Sequence, residues 1–329
     1  MRRKPITILV LASALLTGCA RDAFIVQTGL GFTEAGQPVT AEANRVLTEV
    51  ERGSRASMIA IVVRDPSCDW PELRIARSSG RPDQPLCAAK ADDTLVTVRQ
   101  LTATDFQPTL ALLSAYANYV EAVQAIVSEQ PFDSDAALDS ARADLQAVGG
   151  DIATLAGADP PAFLKDDQFA AVRTLVKLVV ELRTERDKAR RQQLVQAQAP
   201  DVEALTRTLG QDIDRWTELG LVSDLSNLQT AQRIEWNRSR QSAVPAERQR
   251  MLDEQIAVAE QIAAARALPV GLRRMLAETD AAYDLYLQAL GQRELTPEAR
   301  RQLAAIAQAR WRMALKAVLR TLASFAPGA

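Results

Sequence analysis

The side chains able to do chemistry are few in this 329-residue chain, and the missing types exclude as much as the present ones suggest. Histidine is absent altogether, which rules out Ser–His and Cys–His nucleophile pairs and any imidazole metal site. The three cysteines, Cys19, Cys68 and Cys87, are too few for a four-cysteine zinc or iron–sulfur site within one chain. All four tyrosines fall in two i,i+3 pairs, Tyr116/Tyr119 and Tyr283/Tyr286, each pair on one face of a helix, one turn apart. Two readings of them stand. In one, the rings line a groove for a ligand or partner, with the hydroxyls at its rim. In the other, they fill the edge of a core and each hydroxyl reaches water or a carbonyl.

The close carboxylates are Asp92-Asp93, Asp133/Asp135/Asp139 and Asp166-Asp167. Paired acids can hydrolyse glycosides or bind calcium, but no stretch supplies the glycine-bearing twelve-residue calcium loop, and helix capping accounts for Asp133 and Asp135. Neither G-x-S-x-G nor S-x-x-K occurs, and Gly29-Leu30-Gly31 lacks the third glycine of a phosphate-binding loop. The expectation is a non-catalytic protein with no cofactor and no metal.

The first twenty residues are the most specific stretch. Arg2, Arg3 and Lys4 precede an apolar run from Ile6 to Leu16 that is too short to span a bilayer, and Leu16-Thr17-Gly18-Cys19 closes it. This ending resembles the lipobox of bacterial lipoproteins. The resemblance covers residues 1–20 only, and an uncleaved apolar N-terminus is the alternative. It implies a signal peptide over 1–18, cleaved before Cys19, with diacylglycerol on that cysteine and an acyl chain such as palmitate on the new amine. Ala20 stands where an aspartate would retain the protein in the inner membrane, so the resemblance implies the periplasmic face of the outer membrane. Stable anchoring takes more than one chain, and a modified Cys19 supplies that. Leu110 to Val127 and Val172 to Leu182 are interrupted by polar residues and are not expected to span.

Removing the leader takes three of the 39 basic residues and none of the 41 acidic ones, leaving a charge near −5. Such a balance makes no electrostatic case for nucleic acid. Apolar residues make up 47%, aromatics 5%, and only 14 residues are glycine, which favours an all-α chain over a barrel or sandwich. Residues 19–39 read as a lipid-anchored tether, because Gly29, Gly31, Gly36 and Pro38 interrupt any helix. Within it, Phe24-Ile25-Val26 would rest on the bilayer or dock on the bundle. Residues 40–329 then form an elongated bundle of long antiparallel helices, with coiled-coil-like stripes, the first starting near Thr40.

Met58 to Val63 is a buried helix turn or a short strand, and in the latter case Leu95 to Val98 would pair with it as a minor hairpin. Cys68 and Cys87 bound a proline-rich loop and, in an oxidising periplasm, would form a disulfide; two free thiols are the alternative. The nearly all-charged run Arg183 to Arg191 reads as the projecting basic end of a long helix, a solvated face or a dock for acidic groups. Breaks or bends are expected at Gly220 and at Leu268-Pro269-Val270-Gly271. Thr296 should cap a last helix with Leu303, Ile306, Trp311, Leu315, Val318 and Leu322 inward. Together these features lead us to expect a lipid-anchored envelope scaffold or adaptor that binds another envelope protein. The alternatives are a carrier or sensor for an apolar ligand held between helices, and a carboxylate-based cell-wall hydrolase.

Overall fold

Heptad spacing of small and apolar residues governs how this chain folds, and it does so from a point well before Thr40. The computed structural model describes residues 6–77, 85–88, 94–128, 179, 181–182, 185, 187–291, 296, 298–299, 301–303, 305–306, 309, 312–313, 316 and 319–320, with side chains from Ala23 onward. Six helices account for most of them: α1 (Ile6–Arg64), α2 (Gln107–Ser128), α3 (Lys188–Ala197), α4 (Ala199–Trp216), α5 (Ser223–Ser239) and α6 (Pro245–Gly291). One two-stranded sheet, β1 (Glu72–Arg77) with β2 (Thr94–Arg99), completes an all-α fold with a minor hairpin. The chain divides into two compact units. Unit 1 takes residues 1–42, 108–210 and 272–316, and unit 2 takes 43–107, 211–271 and 317–329.

In unit 1 the expected tether is helical. Residues 19–39 belong to α1, and Phe24, Ile25, Thr28, Phe32, Ala35 and Val39 are buried on one face of it. The Phe24-Ile25-Val26 cluster therefore docks on protein. Each glycine costs a helix about 1 kcal/mol relative to alanine, but burying a Phe or Val side chain contributes about 1.5–3 kcal/mol, so packing wins. Pro38 also lies inside the helix. Thr28 and Thr33 fold their hydroxyls back onto the helix: Thr28 donates to the Phe24 carbonyl at 2.9 Å and Thr33 to the Leu30 carbonyl at 3.1 Å.

The glycines have a packing role. A Cβ on Gly36 would sit 2.7 Å from Cγ2 of Val120, and one on Gly29 would strike Val127. Two glycines seven apart on α1 thus receive two valines seven apart on α2, the later glycine meeting the earlier valine, which makes the pair antiparallel. The same apolarity explains why Ala103–Ser128 is, by length and composition, long and apolar enough to cross a membrane, contrary to expectation; 67% of its most apolar window is buried within the protein.

In unit 2, Met58 to Val63 is the last turn and a half of α1, not a strand. The partner of β2 is β1, in antiparallel register with Glu72 opposite Arg99 and Ile75 opposite Val96. Leu73 and Ile75 are buried and Arg74 between them is exposed, as a half-buried strand requires. The Cys68–Cys87 disulfide is present, across a separation of 19 residues, and closing a loop of that size is worth about 3 kcal/mol in the chain-entropy model.

Asp65 organises this corner. Its carboxyl accepts from the Ser67 amide at 3.1 Å, the Ser67 hydroxyl at 2.7 Å and the buried Leu86 amide at 2.6 Å. Nearby, Arg99 and Thr102 hold the Asp105 carboxyl; burial pushes that acid up, and their hydrogen bonds bring it below the usual carboxylate range. On the helical side, Arg64 pairs with Glu235 at 3.2 Å and Glu254 at 2.6 Å. Burial likewise raises Glu254, but Arg64 and Arg250 outweigh it and leave the acid lowered.

Of the breaks or bends expected, neither Gly220 nor Pro269 ends its helix. Gly220 sits in a π-helical turn, Thr217–Val222, between α4 and α5. A Cβ there would come 2.5 Å from Leu101 Cδ1 and 3.1 Å from Val50 Cγ1, so the glycine admits a close approach without ending the helix. Pro269 lies inside α6, which runs without interruption from Pro245 to Gly291.

The charged run is also placed differently. Asp187 accepts from the Arg190 amide at 2.8 Å and caps the start of α3, so Lys188, Arg190 and Arg191 open a helix; Arg183 and Arg186 lie outside the described residues. Thr296 does cap the following turn, accepting from the Ala299 amide at 3.3 Å. Leu303 and Ile306, expected inward, are 39% and 50% exposed. Asp92-Asp93, Asp133/Asp135/Asp139, Asp166-Asp167 and the expected helices between Pro131 and Leu175 lie outside the described residues, as do Trp311, Leu315, Val318 and Leu322.

Candidate functional site

The two tyrosine pairs, 164 residues apart in sequence, meet in the core of unit 1. α2 positions Tyr116 and Tyr119, and α6 positions Tyr283 and Tyr286. Both helices carry alanines beside them (Ala111, Ala115 and Ala122 on α2, Ala282 and Ala289 on α6, all buried), which leave room for the rings. The α1 stretch that looked like a tether supplies the rest. Phe32 lies with its ring centroid 4.8 Å from Tyr283 and 6.3 Å from Tyr119. Tyr119 and Tyr283 are edge-to-face at 6.0 Å, an arrangement worth about 0.5–1.5 kcal/mol beyond burial.

The rings therefore form an interior cluster, not the rim of an open groove. Tyr116, Tyr119 and Tyr286 are fully buried and Tyr283 is 3% exposed. The hydroxyls of Tyr119 and Tyr283 are 2.6 Å apart, and Tyr283 donates to the Val195 carbonyl on α3 at 3.3 Å. With that proton committed, Tyr119 is the donor within the pair, and a short relay runs from α2 through α6 to α3. Burial pushes all four phenols up. They stay neutral at any physiological pH, so none can serve as a base. The relay orients helices and moves no proton.

Tyr116 and Tyr286 differ from that pair. Neither hydroxyl has a hydrogen-bond partner. A buried polar atom without a partner costs about 1–3 kcal/mol, while removing an unpaired one is nearly free. Tyr116→Phe and Tyr286→Phe are accordingly expected to be neutral or to stabilise by up to about 1 kcal/mol. Tyr283→Phe should cost about 1–3 kcal/mol, because it strands the Tyr119 hydroxyl. Urea unfolding of the three variants checks the contrast, and equal losses in all three would contradict it.

Sequence reasoning identified both tyrosine pairs but not their convergence or Phe32. The available signal was the seven-residue spacing of Gly29 and Gly36 around Phe32, which marks a close-packed helix face. Lipid attachment at Cys19 concerns a residue whose backbone is helical and whose side chain is not described. Cys68 and Cys87 are joined as expected. Among the described residues no group of three acids or cysteines is placed to hold a metal ion. No protein-family model matches the chain, and neither a curated protein nor a solved structure shows significant similarity to it.

Proposed function

We propose that this is a lipid-anchored lipoprotein on the periplasmic face of the outer membrane, and that it acts by binding another envelope protein as a scaffold or adaptor. The observation that carries the binding role is a second apolar face on α6. Met251, Val258, Ile262 and Ala265 are buried on one side. Leu252, Ile256, Ala259, Ala263, Ala267 and Val270 follow one another at three- or four-residue steps on another side, and all are exposed. Ile256 and Val270 are 57% and 58% exposed. A stripe this regular, with alanines at its centre, fits a partner helix that presents its own small apolar side chains.

The anchor reading rests on the lipobox and gains support from α1. Among the residues whose side chains are described, the first buried one is Phe24, five positions after Cys19 in a continuous helix, about 8 Å at 1.5 Å per residue. An acylated Cys19 would hold the packed body at the membrane with almost no slack. Cys19→Ser is expected to abolish labelling by radioactive palmitate and release the protein from the membrane fraction; normal labelling refutes the anchor. A photo-cross-linker at Ala263 in intact cells is expected to trap one envelope protein, and Ala263→Glu to lose it. Absence of any adduct from Ala263 counts against the adaptor role.

A second reading keeps one observation in its favour: the unpartnered Tyr116 and Tyr286 hydroxyls in the tyrosine core. An apolar ligand with a polar end would satisfy them. Native mass spectrometry of gently purified protein decides it, since a carrier shows a stoichiometric added mass.

A further inference from the structure

Charge is unevenly spread along this acidic chain. After Glu298 the sequence holds six cations, Arg300, Arg301, Arg310, Arg312, Lys316 and Arg320, and no aspartate or glutamate through Ala329. The described residues between Arg301 and Lys316 are helical, belong to unit 1 and are all exposed.

At 3.6 residues per turn those residues fall into two adjoining strips. Leu303, Ile306 and Met313 make one, and they are 39%, 50% and 54% exposed. Arg301, Arg312 and Lys316 make the other, with Gln302 and Ala309 between the strips. Among the described residues none of these three cations has an ion-pair partner. The stretch therefore shows solvent an apolar strip beside uncompensated positive charge. A protein core would cover the apolar side chains but would leave three buried cations to pair. A phospholipid surface takes both, because long cationic side chains lay their stems along the apolar region and keep their heads at the phosphates.

We propose that this face rests on an anionic phospholipid surface. Ile306 and Met313 enter the boundary between headgroups and acyl chains, and Arg301, Arg312 and Lys316 meet lipid phosphates. The contact goes beyond the anchor reading, since it needs no lipid on Cys19. Where an acylated Cys19 is present, the basic face adds a second attachment of a different kind.

The test uses the full chain carrying Cys19→Ser, so that no attached lipid contributes; the leader is common to every variant and cancels in their ratios. Sedimentation with vesicles of phosphatidylglycerol in phosphatidylcholine is compared with sedimentation with phosphatidylcholine alone. Each cation is worth about fivefold in binding at an anionic surface, so Arg301→Gln, Arg312→Gln and Lys316→Gln together should lose on the order of 100-fold on the anionic vesicles. The same triple variant should match its parent on phosphatidylcholine. Ile306→Ser with Met313→Ser should lose at least about tenfold on both. Arg266→Gln, at an exposed cation of α6, should bind as the parent does. All the substituted positions are exposed, so the variants should keep the parent's far-ultraviolet dichroism. Equal binding of parent and triple variant to the anionic vesicles overturns the proposal, and so does an equal loss in Arg266→Gln. In intact cells a photo-cross-linker at Met313 should yield a phospholipid adduct. A protein adduct there without a lipid adduct assigns the face to an acidic protein and overturns the proposal. Palmitate labelling at Cys19 and cross-linking at Ala263 do not enter these readouts, so the anchor and the adaptor role stand or fall separately.

Discussion

Gly29→Leu is expected to destabilise unit 1 by about 1–3 kcal/mol through overpacking, whereas Gly31→Ala, two residues on in the same helix, should stabilise it by up to about 1 kcal/mol. The contrast isolates packing from helix propensity. A Cβ on Gly31 meets nothing within 4 Å, so only the backbone-entropy gain remains. A Cβ on Gly29 meets Val127 on one side and the Tyr286 ring, 3.0 Å away, on the other. Neither neighbour can step aside. A helical valine has one strongly preferred rotamer, and the buried Tyr286 ring is held on all sides. Thermal unfolding of the two variants against the parent measures both effects. If the two substitutions shift the midpoint alike, the glycine–valine seam between α1 and α2 is wrong. The experiment also bears on the tether, since a free segment before Val39 would tolerate leucine at position 29 at no cost.

Asp65→Ala should cost about 3 kcal/mol, more than loss of either hydrogen-bonding neighbour. The residue is 2% exposed and one carboxyl receives three donors. Removing it takes away the acceptor of the buried Leu86 amide, and an orphaned buried donor costs about 1–3 kcal/mol by itself. Ser67 loses both of its contacts to the same group and is also the acceptor for the Cys87 amide at 3.3 Å. Damage should therefore spread to the disulfide. Reduction of Cys68–Cys87 by a small thiol is expected to accelerate at least about tenfold in Asp65→Ala, because local opening governs access to the bond. Asp65→Asn retains an acceptor oxygen and should fall between. Wild-type reduction kinetics in Asp65→Ala would show that the bridge holds this corner without Asp65.

What could be read from the chain divides along physical lines. Stripes such as Leu205, Leu209 and Ile213, all buried, were legible because helix periodicity and burial agree there. The disulfide was legible because the leader predicts the compartment and only two other cysteines exist. The tether was misread because local propensity and tertiary packing point in opposite directions between Gly29 and Pro38. Glycine reads as a breaker until a facing valine is known, and that valine is 98 residues away. At Pro269 a kink or a break was expected, and the helix does not break there. The hairpin was half legible: β2 was marked by β-branched residues, but β1, Glu72 to Arg77, alternates charge with apolar residues inside what looked like a loop. The tyrosine cluster could not be assembled from spacing, because i,i+3 pairing says which face a ring occupies and nothing about which distant helix covers it.

The segregation of aromatic residues has an optical consequence. All four tyrosines belong to unit 1, while three of the four tryptophans, Trp70, Trp216 and Trp236, belong to unit 2 and Trp311 belongs to unit 1. Trp216 is held edge-on to Phe106 at 5.0 Å, in a fixed asymmetric setting. Tyrosine is thus confined to unit 1, and tryptophan is concentrated in unit 2. Near-ultraviolet dichroism in the tyrosine band reports unit 1, and the red shift of tryptophan emission reports chiefly unit 2, with no label added. Following both through one denaturation shows directly whether three helices shared by the two units make them melt as one body or one after the other.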